Sequence, residues 1–340
     1  MRSASKWSRV SLALAAISAV LAIADHGQTY SITDLGTLGG TSSAALAINV
    51  SAQIAGWSGT TSSPVVAFRY SGGKMNSLGT LGGEYSEGYG INKAGNVVGY
   101  STLSTGFYRA FLWVNGTMSS LGTLGGNYSA ATAINGAGQV TGTAATTANL
   151  QHAFLYGGGK MTDLGTLGGT SSSGYGINTG GQVVGYAYLA NGAFHAFLYS
   201  NGKMSDLGTL GGSYSRASAL NDSGQVTGQA YIAGNTGAHA FLYSAGKMTD
   251  LGVLNDIYSE GDAINSSSQV VGQASVKNNT GYVIYHAVKF SGGKAVDLNG
   301  LIPAGTGWLM TQATGINDTG QIVGIGTIHN QQHAFLLTPK

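Results

Sequence analysis

From about residue 30 to the end, apolar residues come in short runs broken by Gly, Asn and Ser, and no run carries the spacing of a helix face. Segments such as GQVVGYA (Gly181 to Ala187) and HAFLY (His195 to Tyr199) are β-branched or aromatic and bounded by turn residues, which predicts strands. Four such segments recur in a fixed order: a, SxAxxIN; b, QVVGxA; c, HAFLY; d, KMTDLG. Between a and b stands Asn-x-x-Gly, as in Asn178-Thr179-Gly180-Gly181, the pattern of a type I turn with Asn first and Gly fourth. Ala52 and Ser268 take the Gly position in two units.

The order has a period. HAFLYGGGKMTDLGTLGG, starting at His152, returns as HAFLYSNGKMSDLGTLGG at His195. The Leu closing strand d recurs at Leu35, Leu78, Leu121, Leu164, Leu207, Leu251 and Leu298, with spacings of 43, 43, 43, 43, 44 and 47 residues. An aliphatic residue followed by Asn keeps step at Asn49, Asn92, Asn135, Asn178, Asn221, Asn265 and Asn317. A period of about 40 to 45 residues is that of a four-stranded propeller blade. Helical solenoids are excluded by the missing helical pattern, and a stacked β-helix by its shorter repeat. The expected fold is therefore all-β, a seven-bladed β-propeller over residues 25–340. The units start with a strand d, YSITDLG (Tyr30 to Gly36), and end with a strand c, HAFLL (His333 to Leu337). A ring closes if the first strand completes the last blade, which removes the exposed edges of an open array.

A covariation within the chain supports closure. Strand c begins with His152, His195, His239, His286 and His333 in five units, and with Val66 and Arg109 in two. Strand d carries Asp163, Asp206, Asp250 and Asp297 in the units of the first four His residues, and Ser77 and Ser120 where His is missing. The remaining Asp34 matches His333 only if the termini meet. A His oriented by an Asp is half of a general-base device. Catalysis needs such a pair once, whereas packing repeats it, so the pairs read as buried braces between strands c and d. The Asn markers and the Ser or Thr opening strand a (Ser43, Ser86, Ser129, Ser172, Ser215, Ser259, Thr311) read as structural too.

The recurring His-Ala-Phe (152–154, 195–197, 239–241, 333–335), with the DLGTLGG and IN-x-x-GQ-V-x-G signatures, resembles the HAF-type repeats of extracellular bacterial proteins. The resemblance runs from about Asp34 to Phe335 and implies an exported repeat protein of no assigned activity. The end at HAFLLTPK, without a sorting segment, points to release.

Composition adds compartment and partners. Arg2, Lys6 and Arg9 precede the apolar SLALAAISAVLAIA, which has the layout of a signal peptide over residues 1–24 and is short for a membrane span. The product is expected to be secreted, soluble and monomeric, with no membrane span after cleavage. The chain has no cysteine, so neither disulfides nor thiolate chemistry supports it, and a large core must. Fifteen Lys and Arg stand against thirteen Asp and Glu, and three of the basic residues lie in the leader. No cluster of basic residues for nucleic acid is visible along the chain.

No catalytic motif stands out. The Lys of the GKM turns (Lys160, Lys203, Lys247) lacks the Ser or Thr and the helix of a P-loop, and HExxH, GxSxG, GxGxxG and acidic calcium loops are missing from the sequence. No metal and no cofactor are expected. The a-to-b and c-to-d turns, emerging on one face, are nearly constant. The b-to-c loops vary (the segment near Pro64; Leu103 to Arg109; Tyr188 to Phe194; Val276 to Tyr285), and the d-to-a links carry Tyr85, Tyr128, Tyr214 and Tyr258, with Glu87, Arg216, Glu260 and Gln312 at one equivalent position. A variable, aromatic face on a rigid scaffold suits binding of a glycan or a cell-surface protein. Equivalent tyrosines around the ring predict several weak sites. The alternatives are a glycan-active hydrolase or lyase with Glu87, Glu260 and Asp262 converging at the axial mouth, and a structural surface or matrix component.

Overall fold

The structure is a computed structural model that describes residues 28–62, 65–278 and 280–340. The predicted leader and the loop tip at Pro64 lie outside the described residues. Among the described residues twenty-eight strands form seven four-stranded antiparallel sheets, the blades of a β-propeller. Blades are numbered 1 to 7 from the first strand a, Gly39–Ile48. Six are built from consecutive strands. Blade 7 joins Leu309–Ile316, Ile322–Ile328 and Gln331–Pro339 to the first strand among the described residues, Tyr30–Asp34. The closing register runs from Tyr30 opposite Pro339 to Asp34 opposite Phe335, as the strand order at the termini predicts.

Each a-to-b turn is fixed by its Asn. In blade 1 the Asn49 carbonyl accepts the N–H of Ala52 at 3.1 Å, and the Asn49 side-chain oxygen accepts those of Ser51 and Gln53 at 3.0 Å each. The fourth position has positive φ, +73° at Gly181 but also +55° at Ala52 and +64° at Ser268, so two blades put a Cβ where glycine is favoured. The Gly of strand b answers to a different constraint. A Cβ at Gly56, Gly99, Gly142, Gly185, Gly228, Gly272 or Gly324 would lie only 1.8–2.0 Å from a strand a carbonyl oxygen.

Strand a begins earlier than its SxAxxIN core. In blades 1 to 5 it spans ten residues from the Gly-Gly pair, with bulges, so Tyr85, Tyr128 and Tyr214 lie within strand a rather than in the links; Tyr258 immediately precedes Ser259–Ile264. The first Gly of the pair still faces the end of strand b, as Gly82 faces Leu103, and this extends the ladder. The core is not one mass. It is divided into clusters between adjacent sheets, each with a strand c Phe (Phe68, Phe111, Phe154, Phe197, Phe241, Phe335) fully buried. The Phe of the His-Ala-Phe motif is thus the plug between blades.

Two polar devices join neighbours. The strand a Ser accepts the N–H of a strand c Ala in the preceding blade and donates to a link Gly carbonyl, as Ser86 does with Ala67 at 2.8 Å and Gly79 at 2.6 Å. Ser43 does this across the closing junction, with Ala334 and Gly36; Thr311 departs, donating instead to Ile325 of its own blade. Near the axis, each marker Asn donates from Nδ2 to the backbone carbonyl of the Asn in the next blade at 2.9–3.3 Å, and Asn317 donates to Asn49. The bonds form an unbroken circle.

Candidate functional site

Strand a lines the axis in layers set by the repeat. At the turn end stand the Asn residues and, above them, Ile48, Ile91, Ile134, Ile177, Leu220, Ile264 and Ile316. Nearer the variable face one residue per blade lines the channel: Leu46, Tyr89, Thr132, Tyr175, Ser218, Asp262 and Thr314. The channel therefore changes from a uniform aliphatic ring to a mixed polar mouth of about 380 Å³, which Arg216, Glu260 and Gln312 complete.

The mouth has two unlike sides. Across blades 5 to 7, Glu260, 2% exposed, accepts from Arg216 at 2.6 Å, Tyr258 at 2.7 Å, Ser218 at 3.3 Å and Gln273 at 3.4 Å. Two residues on, Asp262 accepts from Gln312 at 3.0 Å. Burial and the nearby Glu260 carboxylate hold Asp262 well above the usual carboxylate range, against the opposing pull of the Gln312 bond. Beside them, Arg216 Nε and Gln229 Oε1, on paired residues of strands a and b, are buried without a partner. They leave a donor and an acceptor unused.

Across blades 2 to 4 the lining is aromatic. Glu87, 7% exposed, is clamped by the hydroxyls of Tyr85 and of Tyr89, the latter at 2.6 Å. Tyr100 stacks on Tyr85 and Tyr89, with ring centroids 5.9 and 5.7 Å apart; in blade 4 Tyr175 meets Tyr186 at 5.9 Å. Blade 3 carries small residues at the same places. Ala130, Thr132 and Thr143 stand where blade 2 has Glu87, Tyr89 and Tyr100 and blade 4 has Ser173, Tyr175 and Tyr186. The result is a groove of about 280 Å³ floored by blade 3 and walled by Tyr89, Tyr100, Tyr128, Tyr175 and Tyr186, with Gln151 at its side. It shares Tyr89, Thr132 and Tyr175 with the axial mouth, so the two are continuous. Burial raises the Tyr89 and Tyr128 phenols and takes Tyr175 up to about 12, which carries the protonated form of these hydroxyls further into alkaline pH.

The tyrosines singled out from the sequence do not share one environment. Tyr85 and Tyr258 hold Glu87 and Glu260, Tyr214 packs between Phe194 and Tyr231, and Tyr128 lines the groove. Nor do the three acids converge: Glu260 and Asp262 share a strand of blade 6, whereas Glu87 belongs to blade 2 and is absent from the mouth's lining. Tyr89, Tyr100, Tyr175 and Tyr186 escape sequence reading because no motif marks them. Their signal is the difference at equal repeat positions, Tyr, Thr, Tyr in three successive blades.

The His–Asp pairs form in all five units at 2.7–2.9 Å, Asp34 with His333 included. They are not buried braces, since the aspartates are 34–41% exposed and the histidines 15–18%. Each Asp also accepts a backbone N–H two residues on, as Asp163 does from Gly165 at 2.8 Å. Ser77 and Ser120 make that second bond to Gly79 and Gly122 at 3.2 Å, which explains why Ser replaces Asp where His is missing. Among the described residues no three His, Asp or Glu side chains are grouped to hold a metal ion, and no helix is long and apolar enough to cross a membrane.

No family model matches the chain, and no curated protein matches it. Among solved structures it is similar to the β-propeller domain of the Trilobed protease from Pyrococcus furiosus, at 6% identity and a TM-score of 0.54 over 92% of this chain and 95% of that one. It is also similar to a puromycin-hydrolyzing peptidase of Mycobacterium tuberculosis (12% identity, TM-score 0.50, 77% of this chain and 45% of that one) and to TolB from Acinetobacter baumannii (11%, 0.47, 89% and 65%). The chain thus spans about two thirds of TolB and less than half of the peptidase. At 6% identity the likeness to the protease propeller is one of fold alone.

Proposed function

We propose that the protein is a secreted binding module of the HAF repeat type, which takes a glycan, free or on a cell-surface partner, in the groove over blade 3 and does not turn it over. One observation supports this above all: three small residues of blade 3 sit between tyrosine-bearing neighbours and open a groove walled by five tyrosines. Tyrosine offers an apolar ring face to the C–H side of a sugar and a hydroxyl to its rim, with little ordering entropy. Thr132, Thr143, Ser173 and Gln151 add hydrogen-bonding groups, and the volume lies near the lower end of ligand pockets. One principal site is expected in this groove, where the repeat alone suggested several.

Giving blade 3 the residue of its neighbours tests this directly. Thr143→Tyr fills the groove with a side chain that blades 2 and 4 accommodate at Tyr100 and Tyr186, so folding is expected to persist while binding to any glycan-array ligand is lost. Undiminished binding by this variant, or a wild-type chain silent on the array, sinks the reading.

A second reading is favoured by the mouth. Glu260 and Asp262 lie two residues apart on one strand, and burial beside the Glu260 carboxylate holds Asp262 well above the usual carboxylate range, which suits a proton donor in glycan cleavage. Glu260 is engaged by Arg216, Ser218 and Tyr258, which leaves it little freedom. Product release from a polysaccharide, lost in Asp262→Asn, would establish the enzyme over the binding module.

A further inference from the structure

The outermost strand of most blades is charged oppositely at its two ends. In blades 3 to 6 strand d opens with Lys160, Lys203, Lys247 and Lys294 and closes with an aspartate. All strands d run the same way along the axis, so the lysines gather on the face of the a-to-b and c-to-d turns and the aspartates on the other. Lys74 adds a fifth in blade 1, Lys93, in the a-to-b turn of blade 2, a sixth, and Lys340, whose N–H donates to the Thr29 carbonyl, a seventh beside the start of Tyr30–Asp34. All seven are exposed. The acids of the described residues on that face are Asp222 and Asp318, and each accepts a backbone N–H of a neighbouring blade, from Thr179 and Ser266. A chain that is nearly neutral along its length becomes a disc with one basic and one acidic face.

The geometry of this face selects among polyanions. Five of the lysines, in blades 1 and 3 to 6, occupy the equal position at the start of strand d, so they lie at one height and around most of the circumference. A flat anionic surface meets all of them together, whereas a linear polyanion meets an arc. A second observation points the same way. The first strand of the ring enters at Tyr30 on the lysine face, and only residues 25–29 separate it from the apolar sequence ending at Ala24. Five residues reach at most about 18 Å when extended. Before the expected cleavage, with that apolar sequence in lipid, the lysine face would be the one held beside it.

We propose that the lysine-ringed face docks the propeller flat on an anionic lipid surface and turns the tyrosine groove and the carboxylate mouth away from it. Lysine suits the role because its stem reaches along the surface while the ammonium meets the headgroups. Attraction of this kind acts over about a Debye length, roughly 8 Å at physiological salt, so it works in contact and weakens as salt is raised.

The test uses the chain from Asp25 onward, which contains every strand of the ring, and vesicles of phosphatidylcholine with or without phosphatidylglycerol. The chain is expected to sediment with the anionic vesicles at low salt, to remain free of the neutral ones, and to be released by salt. Replacing Lys74, Lys160, Lys203, Lys247 and Lys294 together by Gln should weaken binding by roughly a thousandfold or more, at about fivefold per lysine near the surface. The substitutions lie at the exposed first residues of strand d, and an unchanged thermal unfolding curve separates lost binding from lost fold. Equal binding to neutral vesicles, or full binding by the substituted chain, overturns the proposal. So does tighter binding to a dissolved polysulfate or duplex DNA than to vesicles, since the partner is then a polymer rather than a plane.

Discussion

Ala52 and Ser268 show how a single residue registers what its place in the turn demands. Both adopt positive φ at the position where the other blades have Gly. The left-handed region costs a residue with a Cβ about 1 kcal/mol or more, so Ala52→Gly is expected to raise stability by about that amount in chemical denaturation, and an unchanged midpoint contradicts it. Asp206 makes the opposite case. Its contact with His195 is exposed, and a Ser in its place can still accept from Gly208 as Ser77 does from Gly79. Asp206→Ser should therefore cost less than about 1 kcal/mol, as surface ion pairs do; a loss of several times that restores the buried brace. Asp262 sets a pH dependence. Its carboxyl binds a proton more tightly folded than unfolded, so its contribution is fully present below the unfolded value, about 4, and is lost as pH rises through the raised folded value. Asp262→Asn should remove this component of the slope of stability against pH above about 4, and parallel wild-type and variant profiles would rule it out.

At the scale of strands and turns, sequence legibility follows repetition. The four strands, the Asn turn and the Asp34–His333 match could be read along the chain because each recurs, and a recurring residue states the contact it makes between equivalent neighbours. The early start of strand a was not legible, since Gly-Gly before it reads as a link until the ladder between Gly82 and Leu103 is seen. The groove was not legible either. It arises from the absence of bulk in one blade, and Thr143 acquires meaning only once Tyr100 and Tyr186 stand on either side of it. The lysine ring is invisible along the sequence for a related reason: its strand d members stand 43 to 86 residues apart and meet only on the disc.

For the molecule as a whole, closure rests on the first five-residue strand. Tyr30–Asp34 covers the edge of Gln331–Pro339, and Tyr30 belongs to the cluster that includes Phe335 and Leu337. Removing residues 30–34 should lower the melting temperature of the entire ring in one transition, because the freed edge loosens both junctions of blade 7. A stepwise loss confined to that blade, seen as a small separate transition, would argue that the ring is held elsewhere.

The circle of asparagines carries an implication for how such a molecule can be assembled. Each link runs from one unit to the next in the same rotational sense, and the acceptor is the backbone of the very residue whose side chain makes the following link. A unit therefore mates with its successor by the surface pairing it uses with its predecessor, which is the relation between subunits in a cyclic homo-oligomer. The polypeptide connection between blades is, in this respect, a tether on an assembly whose interfaces already specify rotation. Separate copies of one unit, recut so that each supplies its own fourth strand, hold the instructions for a ring, and the single chain adds to them the freedom to let each blade's outer residues differ.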